Sequence, residues 1–248
     1  EAPQRPGAFC FSPRTLLAPR QAMNMNLQPL LSRAVHQPLS EADARAAALV
    51  LMSGEASPAQ AGGLLSALRA RGEAYSEIVG FARALRENAR PFPRPGEDCL
   101  DTCGTGGDGL ATFNVSTLAA LVVAACGVRV VKHGNRAVSS RCGSADLLEA
   151  LEIRTEIDPV TAARCLDETN FAFLFAPSYH PMLKSLAPVR RELGIRSIFN
   201  LAGPLANPAR VGFQLVGVPA RDLLEPVAEA LRALERRRAA VLSGGDFG

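Results

Sequence analysis

The chain is poor in the groups that run conventional acid–base or nucleophilic chemistry. Only three histidines occur, His36, His133 and His180. None stands at a recognisable catalytic spacing, so a Ser-His-Asp arrangement is not indicated. The six cysteines, at positions 10, 99, 103, 126, 142 and 165, form no C-x-x-C pair. They suit reduced thiols of a cytoplasmic protein and give no motif for a zinc or disulfide framework. No apolar run approaches the length needed to span a bilayer. The formal net charge is +3, and the only tight basic run is Arg236-Arg237-Arg238, so nucleic-acid binding is not indicated.

What is present is ample apolar content, 48% of 248 residues, enough for one large domain or two modest ones. Residues 1–24 contain Pro3, Pro6, Pro13 and Pro19, begin without methionine and show no helical or strand period. They are expected to be disordered, or to lie upstream of a start near Met23 or Met25; a transit peptide is the weaker reading because serines are few. Residues 25–90 read as a small helical domain, with helices over 27–35, 44–52, 59–71 and 77–88. Ser40 and Asp43 form a capping box, Ser57-Pro58 gives a cap with proline at the first helical position, and Ser76 is the expected cap of the fourth helix. Pro91-Phe-Pro-Arg-Pro-Gly96 cannot continue a helix and is the expected linker or hinge, 91–96.

From 97 to 248 the pattern changes to short apolar strands, near 98–101, 128–131, 171–175, 213–218 and 239–242. They alternate with helices over 117–126, 145–152, 159–168, 181–193 and 222–236. Such alternation predicts a mostly parallel α/β sheet, whose ligands sit beyond the carboxyl ends of the strands.

The most informative stretch is Asp101-Thr-Cys-Gly-Thr-Gly-Gly-Asp-Gly109, which follows the first of these strands and leads into Asn114-Val-Ser-Thr117. Glycines permit positive φ and close backbone approach, and the helix opened by Asn114, Ser116 and Thr117 offers unpaired N–H groups to an anion. Gly104, Gly106 and Gly109 satisfy G-x-G-x-x-G. A Rossmann unit would want an acidic residue after the next strand, but Lys132-His-Gly-Asn-Arg136 stands there. No Gly-Lys-Ser/Thr follows the glycines, so a Walker loop is excluded as well. Lys132 to Ser140 supplies an ammonium, a guanidinium, an amide and hydroxyls in one stretch, a donor set suited to phosphate or pyrophosphate. By itself, Ser116 or Thr117 is as readily a helix cap as a ligand, and Arg190 is more readily an ordinary helix-surface residue.

Taken together, Gly104 to Gly109, Asn114 to Thr117, Lys132 to Ser140, Gly143-Ser-Ala-Asp146 and Phe199-Asn-Leu-Ala-Gly-Pro-Leu-Ala-Asn-Pro208 resemble the anthranilate phosphoribosyltransferase family in order and spacing. The resemblance runs from about Met25 to the C-terminus. It implies a fold of the nucleoside phosphorylase/phosphoribosyltransferase type, with a homodimer formed through the helical domain. The implied reaction moves the phosphoribosyl group from phosphoribosyl pyrophosphate to anthranilate, with magnesium, in L-tryptophan biosynthesis. By family position, Gly104, Gly107, Asp108, Thr112, Asn114, Val115, Ser116, Thr117, Lys132, His133, Gly134, Asn135, Arg136, Ala137, Val138, Ser139, Ser140 and Ser144 would contact phosphoribosyl pyrophosphate. Ser116 would also contact magnesium. Gly104, Asn135, His180 and Arg190 would meet anthranilate, Arg190 as the carboxylate partner, and Gly203 to Pro208 would be a shaped loop nearby. No residue is assigned as acid or base.

The sequence departs from the family at one point. The family's adjacent Asp-Glu pair for magnesium would lie past Gly248, since Asp246 is followed by Phe247. The chain therefore reads as incomplete at its C-terminus. A nucleoside phosphorylase of the same fold and a catalytically silent binding homologue are the competing readings; the transferase-like Lys132 to Ser140 loop disfavours the first, and the intact cradle with scattered charge disfavours the second.

Overall fold

The computed structural model describes residues 26–106, 113–137 and 142–244. Four helices come first: α1 (Leu27–His36), α2 (Glu41–Ser53), α3 (Pro58–Arg71) and α4 (Tyr75–Glu87). Their starts follow from side-chain capping. Ser40 Oγ accepts from Asp43 N at 3.1 Å, and Ser57 and Gln60 satisfy each other's backbone N–H groups at 3.2 and 3.0 Å. The fourth start differs from expectation. Ser76 lies inside α4 and donates to Leu39 O at 2.8 Å, while Ala74 is the N-cap and its N–H donates to Glu77 Oε2 at 2.8 Å. Glu77 is fully buried and also accepts from Leu39 N at 2.9 Å and Arg71 Nη2 at 2.5 Å, so one carboxylate fastens the turn before α2 and the end of α3 to α4.

Beyond them the described residues form a five-stranded, all-parallel sheet in the order β3-β2-β1-β4-β5. The strands are β1 (Leu100–Gly104), β2 (Val130–Gly134), β3 (Phe171–Phe175), β4 (Phe213–Val218) and β5 (Arg238–Ser243). β1 and β2 lie two to three residues further along than the apolar pattern suggests, because both strands carry buried polar residues, Asp101, Thr102, Lys132 and His133. Helices α5 (Val115–Ala125) and α6 (Ser144–Ala150) cover one face, on Val130, Phe173 and Phe175. Helix α7 (Pro159–Thr169) packs on Val131, Ala172 and Leu174 of the other face. The chain then runs through the short helix α8 (Ala176–Tyr179), a 3₁₀ segment (Pro181–Leu186), α9 (Ala187–Leu193) and α10 (Ile198–Leu205), and after β4 through α11 (Leu224–Ala233). The continuous helix expected over 181–193 is thus broken into two pieces. Gly203-Pro-Leu, expected as a loop, forms the last turn of α10, with Pro204 inside the helix.

One hydrophobic core joins the first four helices to α10, α11 and the sheet residues Cys103, Val216 and Val218. Residues 181–205 therefore return to the helical layer. No helix among the described residues is long and apolar enough to cross a membrane. The tightest approach is between α4 and α2, where a Cβ on Gly80 would stand 2.5 Å from Glu41 O and 2.7 Å from Arg45 N. Backbone atoms oppose it most closely, and they cannot rotate away. Gly80→Ala is expected to cost about 2 kcal/mol or more in chemical denaturation, although alanine favours a helix elsewhere. Unchanged or increased stability would show that α2 and α4 separate freely.

Candidate active site

The strand order runs outward from β1 in both directions, to β2 and β3 on one side and to β4 and β5 on the other. The order reverses between β1 and β4, and a ligand crevice is expected outside their carboxyl ends. Gly104 and Gly217 are partners across this point, and a Cβ on either would meet nothing closer than 3.9 Å. Thr105 N extends the ladder to Gly217 O at 2.9 Å, and Gly106 then turns the chain at φ 67°, a left-handed value that suits glycine. Gly107, Asp108 and Thr112 lie outside the described residues.

The far wall of the crevice is the start of α5. Its cap is Asn114, whose Oδ1 accepts from Thr117 N at 3.1 Å, Thr117 Oγ1 at 2.8 Å and Ser116 Oγ at 3.1 Å. Ser116 and Thr117 are therefore capped residues rather than caps. Thr102 Oγ1 holds the same turn from the sheet by donating to Ser116 O at 2.7 Å. Val115 is the first helical residue and is exposed.

Lys132, expected in a loop, lies inside β2 and is 1% exposed. Its ammonium donates to Thr102 O and, at 3.3 Å, to Ser116 Oγ. It thus supports the cradle from beneath. Burial lowers its pKa, opposed by the charge of Asp101. Asp101 is also fully buried; burial pushes its carboxyl up to about 6, against the pull of Lys132 and a hydrogen bond from Asn207. These groups occupy a place where β1 and β2 part, since the β1–β2 register pair is Leu100 with Val130. Side chains span the opening: His133 N donates to Asp101 Oδ1 at 3.4 Å, and Asn207 Nδ2 donates to Asp101 Oδ2 at 2.9 Å and Val131 O at 2.8 Å. Asn207 was legible only as part of a motif with turn composition, and its bridging role had no sequence signal.

Past β2 the chain crosses the start of α6 at backbone distance. A Cβ on Gly143 would lie 2.3 Å from Ala137 N, and one on Gly134 would lie 2.8 Å from Ser144 Cβ. Asp146, present in the motif without an assigned role, clasps the crossing: its Oδ2 accepts from Ala137 N at 2.8 Å and Gly143 N at 2.7 Å. Asn135 is exposed here. Val138, Ser139 and Ser140 lie outside the described residues. Arg136 is not brought into the cradle. Its guanidinium pairs with Glu149 at 2.6 Å and Glu156 at 3.1 Å and stacks on Phe175, 4.8 Å from the ring centroid.

A second group of side chains gathers around α10. The rings of His133 and His180 meet edge to face, with centroids 5.0 Å apart. His133 is hydrogen-bonded to the backbone of Gly203, and His180 to that of Leu85. Both rings are buried and both Nε2 atoms lack a partner among the described residues. Burial holds the pKa of His133 well below its ordinary value and that of His180 at about 4. Arg190 reaches Asn200 Oδ1 at 3.4 Å, lies over Phe199 and has no carboxylate partner among the described residues. Asn200 and Gly203 are three residues apart and so share one face of α10. Arg190 and the His133–His180 pair thus both contact α10, and a guanidinium without a carboxylate partner among the described residues suits a carboxylate ligand.

Residues 96–247 match the glycosyl transferase family, a/b domain, and residues 27–89 match the glycosyl transferase family, helical bundle domain. The chain belongs to this glycosyl transferase family. Within it, the chain is 57% identical over 210 residues to the anthranilate phosphoribosyltransferase of Moorella thermoacetica, covering 85% of this chain and 62% of that protein. The crystal structure of anthranilate phosphoribosyltransferase from Thermus thermophilus superposes with a TM-score of 0.79 at 49% identity, covering 87% of this chain and 65% of that one. The Saccharomyces cerevisiae enzyme in complex with PRPP and Mg superposes with the same TM-score at 28% identity, covering 87% and 64%. The chain thus spans slightly under two thirds of the length of these relatives.

The buried imidazoles give the fold an acid limit. His180 has a folded pKa below its unfolded one, so its contribution is complete above about pH 6.5 and is lost as pH falls toward about 4. Its full weight is about 3 kcal/mol, and His133 acts in the same direction. Asp101 acts oppositely, since its raised pKa favours the folded state as pH falls from about 6 toward about 4. The two imidazoles outweigh one carboxyl, so denaturation midpoints should drop between about pH 7 and pH 5. His180→Gln should reduce that drop, and an equal drop in the variant would remove His180 from the account.

Proposed function

We propose that this chain carries the phosphoribosyl pyrophosphate and anthranilate sites of an anthranilate phosphoribosyltransferase, which gives phosphoribosyl-anthranilate and pyrophosphate in L-tryptophan biosynthesis. The observation that carries the reading is the pairing of two unlike sites at one edge of the sheet. The Gly104/Gly217 crevice, backed by Ser116 and Lys132, suits a diphosphate, while the neutral His133–His180 pair and Arg190, which has no carboxylate partner among the described residues, suit an aromatic acid.

In this reading the amine nitrogen of anthranilate forms a bond to the ribosyl carbon as that carbon's bond to pyrophosphate oxygen breaks. The electron pair leaves with pyrophosphate, and the amine gives up a proton. Charge is positive on the ribosyl carbon between these events, so the protein's task is positioning and electrostatic stabilisation rather than nucleophilic attack. The amide-rich start of α5 and the crevice glycines hold the diphosphate, and Lys132 fixes Ser116. Arg190 orients the acid through its carboxylate. His133 and His180, uncharged at neutral pH, line the ring's surroundings without adding positive charge near the reacting carbon.

The donor set bears on magnesium. Ser116 offers a hard oxygen, but Lys132 stands 3.3 Å from it, and no cluster of three acidic, histidine or cysteine side chains among the described residues could hold a metal. Ser116 therefore fits an ion that arrives on the diphosphate, with one hydroxyl added to its coordination, better than it fits a free ion. Bound there, magnesium would neutralise charge on the departing pyrophosphate. Of the remaining assignments, Gly134, Asn135, Ala137 and Ser144 belong to the loop crossing beside the crevice. Arg136 is left out of ligand binding in this proposal. The homodimer through the helical layer rests on the family resemblance, and a cytoplasmic setting is supported by the free thiols of Cys99, Cys103, Cys126, Cys142 and Cys165.

The test is the decay of anthranilate fluorescence with phosphoribosyl pyrophosphate and magnesium, each omitted in turn, alongside equilibrium binding of each substrate. Arg190→Ala should raise the KM or Kd for anthranilate about tenfold or more and leave that for phosphoribosyl pyrophosphate within about twofold. Ser116→Ala should do the reverse. Folded protein that binds neither substrate would overturn the assignment.

A further inference from the structure

The edge of the sheet opposite the crevice also carries a site-like feature. Two adjoining clefts, of about 430 and 360 Å³, open at the amino-terminal ends of β1, β4 and β5 and share Arg86, Glu87, Glu97 and Arg210 as lining residues. Arg90 lines the first and Arg236 the second. The walls come from the end of α4, the 91–97 connection and the turn before β4, so the cleft touches both the helical layer and the sheet.

The walls are closely built. A Cβ on Gly96 would stand 2.1 Å from Ala209 O, and one on Gly212 would stand 2.0 Å from Glu97 O. Gly212 N also donates to Gly96 O at 3.1 Å. Backbone packed against backbone leaves these walls little freedom to close over the cleft.

The charges inside are not balanced. Arg94 and Glu87 are satisfied outside the cleft, by Asp167 at 2.8 Å and by Arg45. Arg86 and Arg236 both donate to one neutral acceptor, Leu205 O, each at 3.1 Å, and Arg236 also reaches Gln214 Oε1 at 2.8 Å. Arg86 Nη2 is buried with no partner among the described residues. Arg90 and Arg210 have no side-chain hydrogen bond or ion pair there, and both are exposed to the cleft. Arg83 also lines the second cleft but pairs with Glu41 at 2.7 Å, so Glu97 and Glu235 are the remaining carboxylates, two against the guanidinium groups of Arg86, Arg90, Arg210 and Arg236. Burial, with repulsion from Arg236, Arg210 and Arg83, lowers the pKa of Arg86 to about 9. Capping of α10 accounts for Arg86 and Arg236; it does not account for Arg90 or Arg210. Arg210 is moreover held at φ 53°, a backbone value that glycine would adopt with less strain.

We propose that this cleft binds a small multivalent oxyanion of the phosphate or pyrophosphate class through Arg86, Arg90, Arg210 and Arg236. The site stands apart from the crevice and does not depend on the function proposed above. Because its walls belong to both layers, an anion in it would fasten the end of α4 to the turn before β4.

The probe is inorganic pyrophosphate without magnesium, followed by titration calorimetry and thermal unfolding at constant ionic strength. The unsubstituted protein should bind it and unfold at a higher temperature. Arg90→Ala and Arg210→Gly together should weaken binding about tenfold or more, since two charge-assisted contacts are lost. Arg210→Gly relieves the left-handed backbone, so the variant's unfolding temperature without anion should not fall, which separates lost binding from lost folding. Undiminished affinity in the arginine variant would locate the anion in the crevice and overturn the proposal, as would a protein that shows no binding at all.

Discussion

A buried ammonium and a buried carboxylate occupy the gap where two parallel strands separate. Lys132 and Asp101 lie where a backbone ladder would otherwise join β1 to β2, and each must satisfy donors or acceptors that the ladder no longer serves. Either ion alone would be strongly unfavourable to bury, and together with Asn207 they close a network in which every member has a partner. The crevice depends on this substitution. If β1 and β2 stayed laddered to their ends, Ser116 would have no ammonium beneath it and the start of α5 would have no fixed height above the sheet.

Much of the architecture was legible from residue pattern. Alternating apolar runs and helical periods located every strand and most helices among the described residues, because a parallel sheet buried on both faces selects short apolar strands. Phe171–Phe175 and Phe213–Val218 match their expected bounds for that reason. The strands near the site were displaced because Lys132 and His133 look like loop residues in a sequence. Nothing local reports that their polar ends meet Thr102 and Gly203. Ser76 has the composition of a cap but serves a tertiary contact, and Gly203-Pro-Leu has the composition of a turn but finishes a helix.

Residues that support the site were the least visible. Asn207 and Gly217 act through segments distant in sequence, and Asp146 acts across a loop crossing, so no spacing rule singles them out. Arg136 shows the converse situation. Its position in a donor-rich stretch points to phosphate, while its guanidinium pairs with two nearby carboxylates and lies over an aromatic ring. Density of donors along a chain indicates chemistry only where folding leaves those donors open to a ligand.

The return of residues 181–205 to the first four helices alters how the two layers are joined. The chain passes between them after α4, after β3 and again before β4, and the first passage is secured at both ends by Arg90 N on Tyr179 O and Gly212 N on Gly96 O. Layers joined by three separated crossings stay connected when one is cut, so proteolytic cutting in the 91–96 segment would nick the chain without releasing either layer as a separate piece.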